Sequence, residues 1–211
     1  MSRERTAPPS FHGAHQPGIA TRQQDHLAFA AFDVTVQRAA ELRGLLAALS
    51  AAAERLMAGR RSATDVEAGI DSGETNELAP ARLTITFGLG PSLFERDRLG
   101  FADRRPTALR PLPAFAGDAL EPDRCGGDLC VQACSDGVQV AFHALRTMAR
   151  VAAGAAVPRW AQTQFVPIQR RLVDEDGLSR FAVHTASAVF AIPPGARKGG
   201  FVGDGMFGET A

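Results

Sequence analysis

The stretch Gly126-Gly127-Asp128-Leu129-Cys130-Val131-Gln132-Ala133-Cys134-Ser135-Asp136 decides how the chain is read. When extended, it points Leu129, Val131 and Ala133 one way and Cys130, Gln132 and Cys134 the other. Both rows are largely apolar, which predicts a strand covered on both faces. Ser135 and Asp136 suit a helix N-terminus as caps. Beyond them Val138, Ala141, Phe142, Leu145, Met148 and Ala152 recur at helical spacing. A strand that runs into an amphipathic helix is a core unit, and the other elements are expected to pack onto it.

Upstream of this unit, Leu83-Thr84-Ile85-Thr86-Phe87 alternates apolar residues with threonine and predicts a strand with one buried face. Gly88-Leu89-Gly90 follows it. A Gly-x-Gly after a strand can bring backbone amides close to an anion, but no complete phosphate-loop motif accompanies it. A sharp turn into a short helix from Ser92 to Arg98 is the preferred reading. Residues 99–126 hold Pro106, Pro111, Pro113 and Pro122 and predict a long surface connection.

Further upstream, Leu42, Leu45, Leu46, Leu49, Ala53 and Leu56 form the apolar stripe of a helix over 37–58, which Gly59 can end. His26 to Val36, with Leu27, Phe29 and Phe32, predicts a first strand. Residues 60–81 are a polar connection longer than most. Downstream of the central unit, Val157 to Phe165 contains the single Trp160 and predicts a fourth strand.

The order strand, helix, strand, strand, helix, strand is the split βαβ pattern. The expected fold is α+β and ferredoxin-like, an antiparallel sheet with both helices on one face. It is divided into an irregular extension (1–24), the ferredoxin-like domain (25–164) and a remnant of a second such domain (165–211). The expected core is Phe29, Leu45, Leu49, Ile85, Phe87, Leu129, Val131, Phe142 and Leu145. In the remnant, Ile168 to His184 reads as a helix and Ser187 to Ile192 as a strand, both expected to dock on the first domain or on another chain.

Composition narrows the function. Lysine plus arginine equals aspartate plus glutamate, 23 each, so no global field favours nucleic acid or anionic membrane. No apolar run approaches the roughly 20 residues of a membrane span. The N-terminus lacks an apolar signal region, which predicts a cytoplasmic chain. Cys130 and Cys134 lie roughly 13 Å apart on a strand at ~3.3 Å per residue, too far for a disulfide or a shared zinc. Buried free thiols are the expectation. His12-x-x-His15 is read as a surface pair and not as a metal site.

Several blocks in order carry a resemblance. They are Phe11-His12-Gly13-Ala14-His15-Gln16-Pro17-Gly18-Ile19, Asp25-His26-Leu27-Ala28-Phe29-Ala30-Ala31-Phe32-Asp33, Leu83 to Phe94 and Gly126 to Cys134. Together they resemble the N-terminal half of dye-decolourising (DyP-type) haem peroxidases, nearest the branch that includes the deferrochelatases. Phe165 to Leu172 and His184 to Gly195 resemble the extreme C-terminus of that family. The chain thus looks like such a peroxidase with its middle removed.

The resemblance implies haem b as cofactor. It also implies reduction of hydrogen peroxide with oxidation of dyes, phenols or porphyrins, and in many relatives export by a twin-arginine signal. The family's catalytic Asp, distal Arg and axial His fall in the segment without a counterpart here, so no catalytic, cofactor-binding or metal-binding residue is assigned. Gly200-Phe201-Val202-Gly203-Asp204-Gly205 imitates the family's G-x-x-D-G motif with one extra residue, and Asp204 is not read as catalytic. His143 and His184 are read as structural, and Arg170 and Arg171 bring the right residue types without a site.

The expectation is therefore a peroxidase by lineage that is inactive as this shortened chain, with haem absent or weakly bound. The alternative is a non-catalytic module that self-associates or pairs with an intact paralogue.

Overall fold

The structure is a computed structural model. It describes residues 9–60, 69, 78–110, 113, 115–165, 180–183 and 188–191. Its elements are β1 (His26–Val34), α1 (Ala39–Met57), β2 (Thr84–Leu89), the short α2 (Pro91–Phe94), β3 (Leu129–Ser135), α3 (Val138–Val151) and β4 (Ala156–Phe165). They are followed by β5 (Arg180–Val183) and β6 (Ala188–Ala191), which pair with each other antiparallel.

The main sheet has the order β2-β3-β1-β4, and each neighbouring pair is antiparallel. That is the split βαβ arrangement: β3 lies between β1 and β2, and β1 lies between β3 and β4. Register places Ala30 opposite Val131 and Ala161, and Phe87 opposite Val131. The residues facing the helices form one core of Ala28, Ala30, Phe32 and Val34 of β1, Ile85 of β2 and Leu129, Val131 and Ala133 of β3. Leu42, Leu45, Leu49, Ala53 and Met57 of α1 close it with Val140, Ala141, Ala144, Leu145 and Met148 of α3. Each large side chain fully buried here contributes roughly 1.5–3 kcal/mol.

The local signals explain the elements. Glu41 reaches back to the start of α1, accepting from the backbone N–H groups of Gln37 (3.0 Å) and Arg38 (3.2 Å). Pro91 sits in the first turn of α2, where a missing N–H costs nothing. Gly90 is held against the turn before β3, where an ideal Cβ would fall 1.9 Å from the Gly127 oxygen.

Several expectations are corrected. The two strands exchange their predicted coverage. β3 buries Leu129, Val131, Ala133 and Ser135 but leaves Cys130, Gln132 and Cys134 half-buried. On β2 the threonine face is covered as well: Thr84 and Thr86 are buried beneath residues 16–24. Thr86 Oγ1 donates to the Pro17 oxygen at 2.5 Å, and the Gln24 amide donates to Thr84 Oγ1 at 2.8 Å. Alternation reports which side chains share a face, but not whether a distant segment lies over it.

Three aromatic residues leave the predicted core. Phe29 points to the half-open face and stacks on Trp160 at 5.2 Å between centroids. Phe87 is half-buried at the core margin. Phe142 is 45% exposed, because α3 turns its alanines onto the sheet and leaves Phe142 on its flank beside Arg146. Neither Ser135 nor Asp136 caps α3, whose N-cap is Gly137. Ser135 Oγ instead donates to the Ala81 oxygen (2.9 Å) and Asp136 pairs with Arg82 (3.0 Å). The predicted helix over 92–98 is the four-residue α2, with a separate 3-10 turn at Asp97–Leu99. Arg180–Val183, read as the end of a helix, is strand β5. Residues 168–179, among them Arg170 and Arg171, lie outside the described residues, as do His184 and Asp204.

Candidate functional site

The densest polar constellation lies where the chain enters β3. Asp128 is fully buried. Its Oδ1 accepts from Ser92 Oγ at 2.7 Å. Its Oδ2 accepts from the Val34 backbone N–H (2.9 Å) and from Arg96 through Nε (3.0 Å) and Nη2 (2.7 Å). Its backbone bonds Phe32 and Gly90. Arg96 also lies 3.9 Å from Asp33, which pairs with Arg159 at 3.2 Å. Arg159 Nε donates to the Cys125 oxygen (2.7 Å) and Trp160 Nε1 to the Gly126 oxygen (3.0 Å). Two carboxylates and two guanidinium groups thus satisfy one another while tying α2, β1, β4 and the 122–128 turn together. Chemically this is a fastening: each charge already faces its partner, and a buried charge so paired is held in place.

Sequence reasoning gives Asp128 no role. Its partners lie 32 to 94 residues away in sequence, so no local spacing announces them. The only signal is an acidic residue at the head of an otherwise apolar strand, where a carboxylate needs partners.

The Gly-x-Gly stretch does not open onto an anion site, since the Gly90 N–H donates to the Asp128 oxygen at 2.9 Å. His12 Nε2 lies 3.7 Å from Glu54 at the surface and packs edge-on against Phe11. Among the described residues no group of three or more His, Cys, Asp or Glu side chains is placed to hold a metal ion. The cysteines are free. Burial raises the Cys130 thiol to about 11, partly offset by a backbone bond from Gly88, and the Cys134 thiol to about 12, partly offset by Gln132.

A histidine-ligated haem needs an enclosed slot with an imidazole at its wall. His143 is 2% exposed on the buried side of α3, inside the helix–sheet core. The groove that presents a histidine has a volume of about 350 Å³ and is lined by His26, Leu27, Ala28, Val138, Ala141, Phe142 and Thr163. It offers one imidazole among apolar side chains, with neither a carboxylate nor a guanidinium on its wall. This groove does not fit a peroxidase haem. No helix among them is long and apolar enough to cross a membrane.

The relationships of the chain are nonetheless clear. Residues 16–166 match the family model described as Dyp-type peroxidase, N-terminal. The deferrochelatase of Escherichia coli strain K12 is 32% identical over 163 residues, which make up 74% of this chain and 38% of that protein. Among solved structures, DtpA from Streptomyces lividans superposes with a TM-score of 0.69 at 38% identity, covering 88% of this chain and 45% of that one. The DyP-type peroxidase from Cellulomonas bogoriensis gives 0.66 at 35% identity, covering 82% and 45%. The chain therefore spans less than half the length of these relatives. The family match and the shared sheet topology agree, and the chain belongs to the Dyp-type peroxidase family.

Proposed function

We propose that this chain is a haem peroxidase by lineage that does not turn over by itself and binds haem b weakly or not at all. In the family the reaction would be peroxide reduction coupled to oxidation of dyes, phenols or porphyrins. Such a site needs an axial ligand, a proton carrier and a charge stabiliser converging on one enclosed cofactor. The observation that carries the reading is the Asp128 fastening. The buried carboxylate and the guanidinium of Arg96 are spent on one another, and the histidine-bearing groove, at the His26 end of β1, has neither group on its wall. In the same reading residues 25–164 are the folding unit, residues 1–24 an extension and residues 165–211 a remnant of a second domain, of which residues 166–195 dock on the unit without completing a haem pocket.

Haem titration with absorbance spectroscopy and a peroxide-dependent dye-bleaching assay test this together. The expected result is no saturable Soret shift and no bleaching above free haem. Stoichiometric binding with a histidine-ligated spectrum, lost in His143→Ala or His184→Ala and accompanied by bleaching, overturns it.

A second reading is favoured by the half-open sheet face. A non-catalytic ferredoxin-like module that pairs with itself or with an intact paralogue would cover the thiols, glutamines and stacked aromatic pair that the described chain leaves half-buried there.

A further inference from the structure

The apolar groove beside α3 opens at the end of the molecule where β4 finishes. Its wall takes His26 and Ala28 from β1, Thr163 from β4, and Val138 and Phe142 from α3. The register sets Thr163 opposite Ala28 and Phe165 opposite His26, so the chain leaves the sheet at the mouth of the groove. Val138 and Phe142 are the large apolar side chains that α3 leaves exposed, at 59% and 45%. Arg146 lies over the Phe142 ring at 5.7 Å, which borders the apolar wall with positive charge. The sequence after β4 matches these features in order. Val166-Pro167-Ile168-Gln169-Arg170-Arg171-Leu172-Val173 is followed by Asp174-Glu175-Asp176. These residues lie outside the described ones. Pro167 has no N–H to give to a sheet ladder, and Ile168 and Leu172, four residues apart, share one side of a helical turn.

We propose that residues 166–176 of this same chain dock in the groove, with Ile168 and Leu172 against Val138 and Phe142 and the acidic run beside Arg146. The proposal rests on the docking of residues 166–195 stated above and names its surface. Two observations select this segment over any other occupant. The first is continuity. The segment is joined to β4 at Phe165, across from His26 of the groove wall, so it competes at an effective concentration on the order of millimolar, above that of a free partner. The second is the order of its chemistry: apolar residues reach the apolar wall first, and carboxylates follow where a guanidinium stands. An arginine has five N–H donors, so Arg146 can take a carboxylate alongside the interactions it already makes.

Maleimide labelling of single engineered thiols in the full chain measures it. Val138→Cys probes the groove, Val157→Cys at the far end of β4 is the reference, and the wild-type chain with its three free cysteines gives the background. Val138 is 59% exposed and Val157 49%, so an empty groove would label Val138→Cys at least as fast. The proposal expects it to label about tenfold more slowly. Adding Leu172→Asp or Ile168→Asp should restore the rate of the reference, and Arg146→Glu should restore part of it. Circular dichroism midpoints show that each variant is folded; should one of the aspartate variants unfold, the other decides. Equal rates for the two thiols overturn the proposal, as does protection that both aspartate variants leave intact. Protection that fades on dilution from about 100 to 1 µM overturns it too, since a second copy would then be the occupant. If hydrogen exchange finds residues 168–173 protected while Val138→Cys labels freely, the segment docks elsewhere: the groove is then wrong and the docking reading stands. Dye bleaching on the same samples reports the reading of inactivity separately.

Discussion

Asp128 accepts from a hydroxyl, a guanidinium and a backbone amide while fully removed from solvent. Asp128→Ala strands Arg96 and the Val34 N–H without their acceptor, and the cost of breaking such a buried pair is about 3–5 kcal/mol. Urea unfolding of the two proteins reads this directly, and coincident midpoints would show the carboxylate to be idle. Ala81 is strained in the opposite sense. It adopts φ 46 beside Arg82 at φ 56, in the left-handed region that a Cβ disfavours. Its carbonyl is held there by Ser135 Oγ and the Asp136 N–H. Ala81→Gly relieves that strain, and the net gain is expected to be about 0.5–1 kcal/mol after the added freedom of the unfolded chain, seen as a higher urea midpoint. The thiols give a pH signature. Cys130 and Cys134 are held protonated by burial, with pKa values of about 11 and 12 against 9.0 for a free thiol. A raised folded pKa gives stability that is complete below the unfolded value and is lost as pH climbs toward the folded one. Stability should therefore fall from about pH 9 upward, by up to ~1.4 kcal/mol per pH unit for each thiol. Cys130→Ala and Cys134→Ala should flatten that alkaline slope in urea titrations.

At the level of elements, α1 and β3 were readable from their periods, and their ends were set by chemistry that periods do not carry. Glu41 at the start of α1 has its pKa lowered by the Arg38 side chain first and by the Gln37 amide second. A lowered carboxylate pKa gives stability present above the unfolded value and lost as pH falls through the folded one. The difference in urea midpoint between wild type and Glu41→Gln should thus be present at neutral pH and vanish in acid. On β3, Val131 is 1% exposed between Ala30 and Phe87 of the flanking strands. Val131→Ala removes buried methyl groups from the central strand, and about 1–3 kcal/mol of stability should go with them. α3 shows where pattern reading stops. The stripe Val138, Ala141, Phe142, Leu145 and Met148 was wider than the face the sheet can cover. The helix settled on Ala141 and Ala144, which are 1% and 0% exposed and permit close approach, and Val138 and Phe142 were left at 59% and 45%. Hydrophobic spacing specifies a helix and its approximate face. The rotation within that face is decided by size, through contacts the sequence does not display.

Over the whole molecule, the alternation of period-2 and period-3.6 segments was enough to yield the sheet order and the one-sided helices, because the split βαβ connection leaves few ways to close such a core. What escaped the sequence was long-range: the Asp128 fastening, the cover of β2 by residues 16–24, and the strand at Arg180–Val183 where a helix was expected. These depend on which distant segments meet, and one sequence does not carry that information locally. The same distinction bears on the cofactor. Family membership rests on the match over residues 16–166 and on the fold shared with the relatives, whereas holding haem rests on a cavity with converging groups, and the described groove supplies one imidazole only. A ligand that binds the folded chain a hundredfold above its Kd stabilises it by about 2.7 kcal/mol. For a chain of this size that corresponds to a rise in Tm of roughly 5–10 °C. Haem held weakly or only at the surface has no such leverage. The expectation is that a modest molar excess of haem moves the unfolding midpoint by less than about 1 °C. Differential scanning fluorimetry would be confounded by haem quenching, so the measurement is thermal unfolding followed by circular dichroism. A rise of several degrees that saturates at one haem per chain would mean that the chain closes a pocket around the cofactor, and the reading of an inactive scaffold would have to be given up.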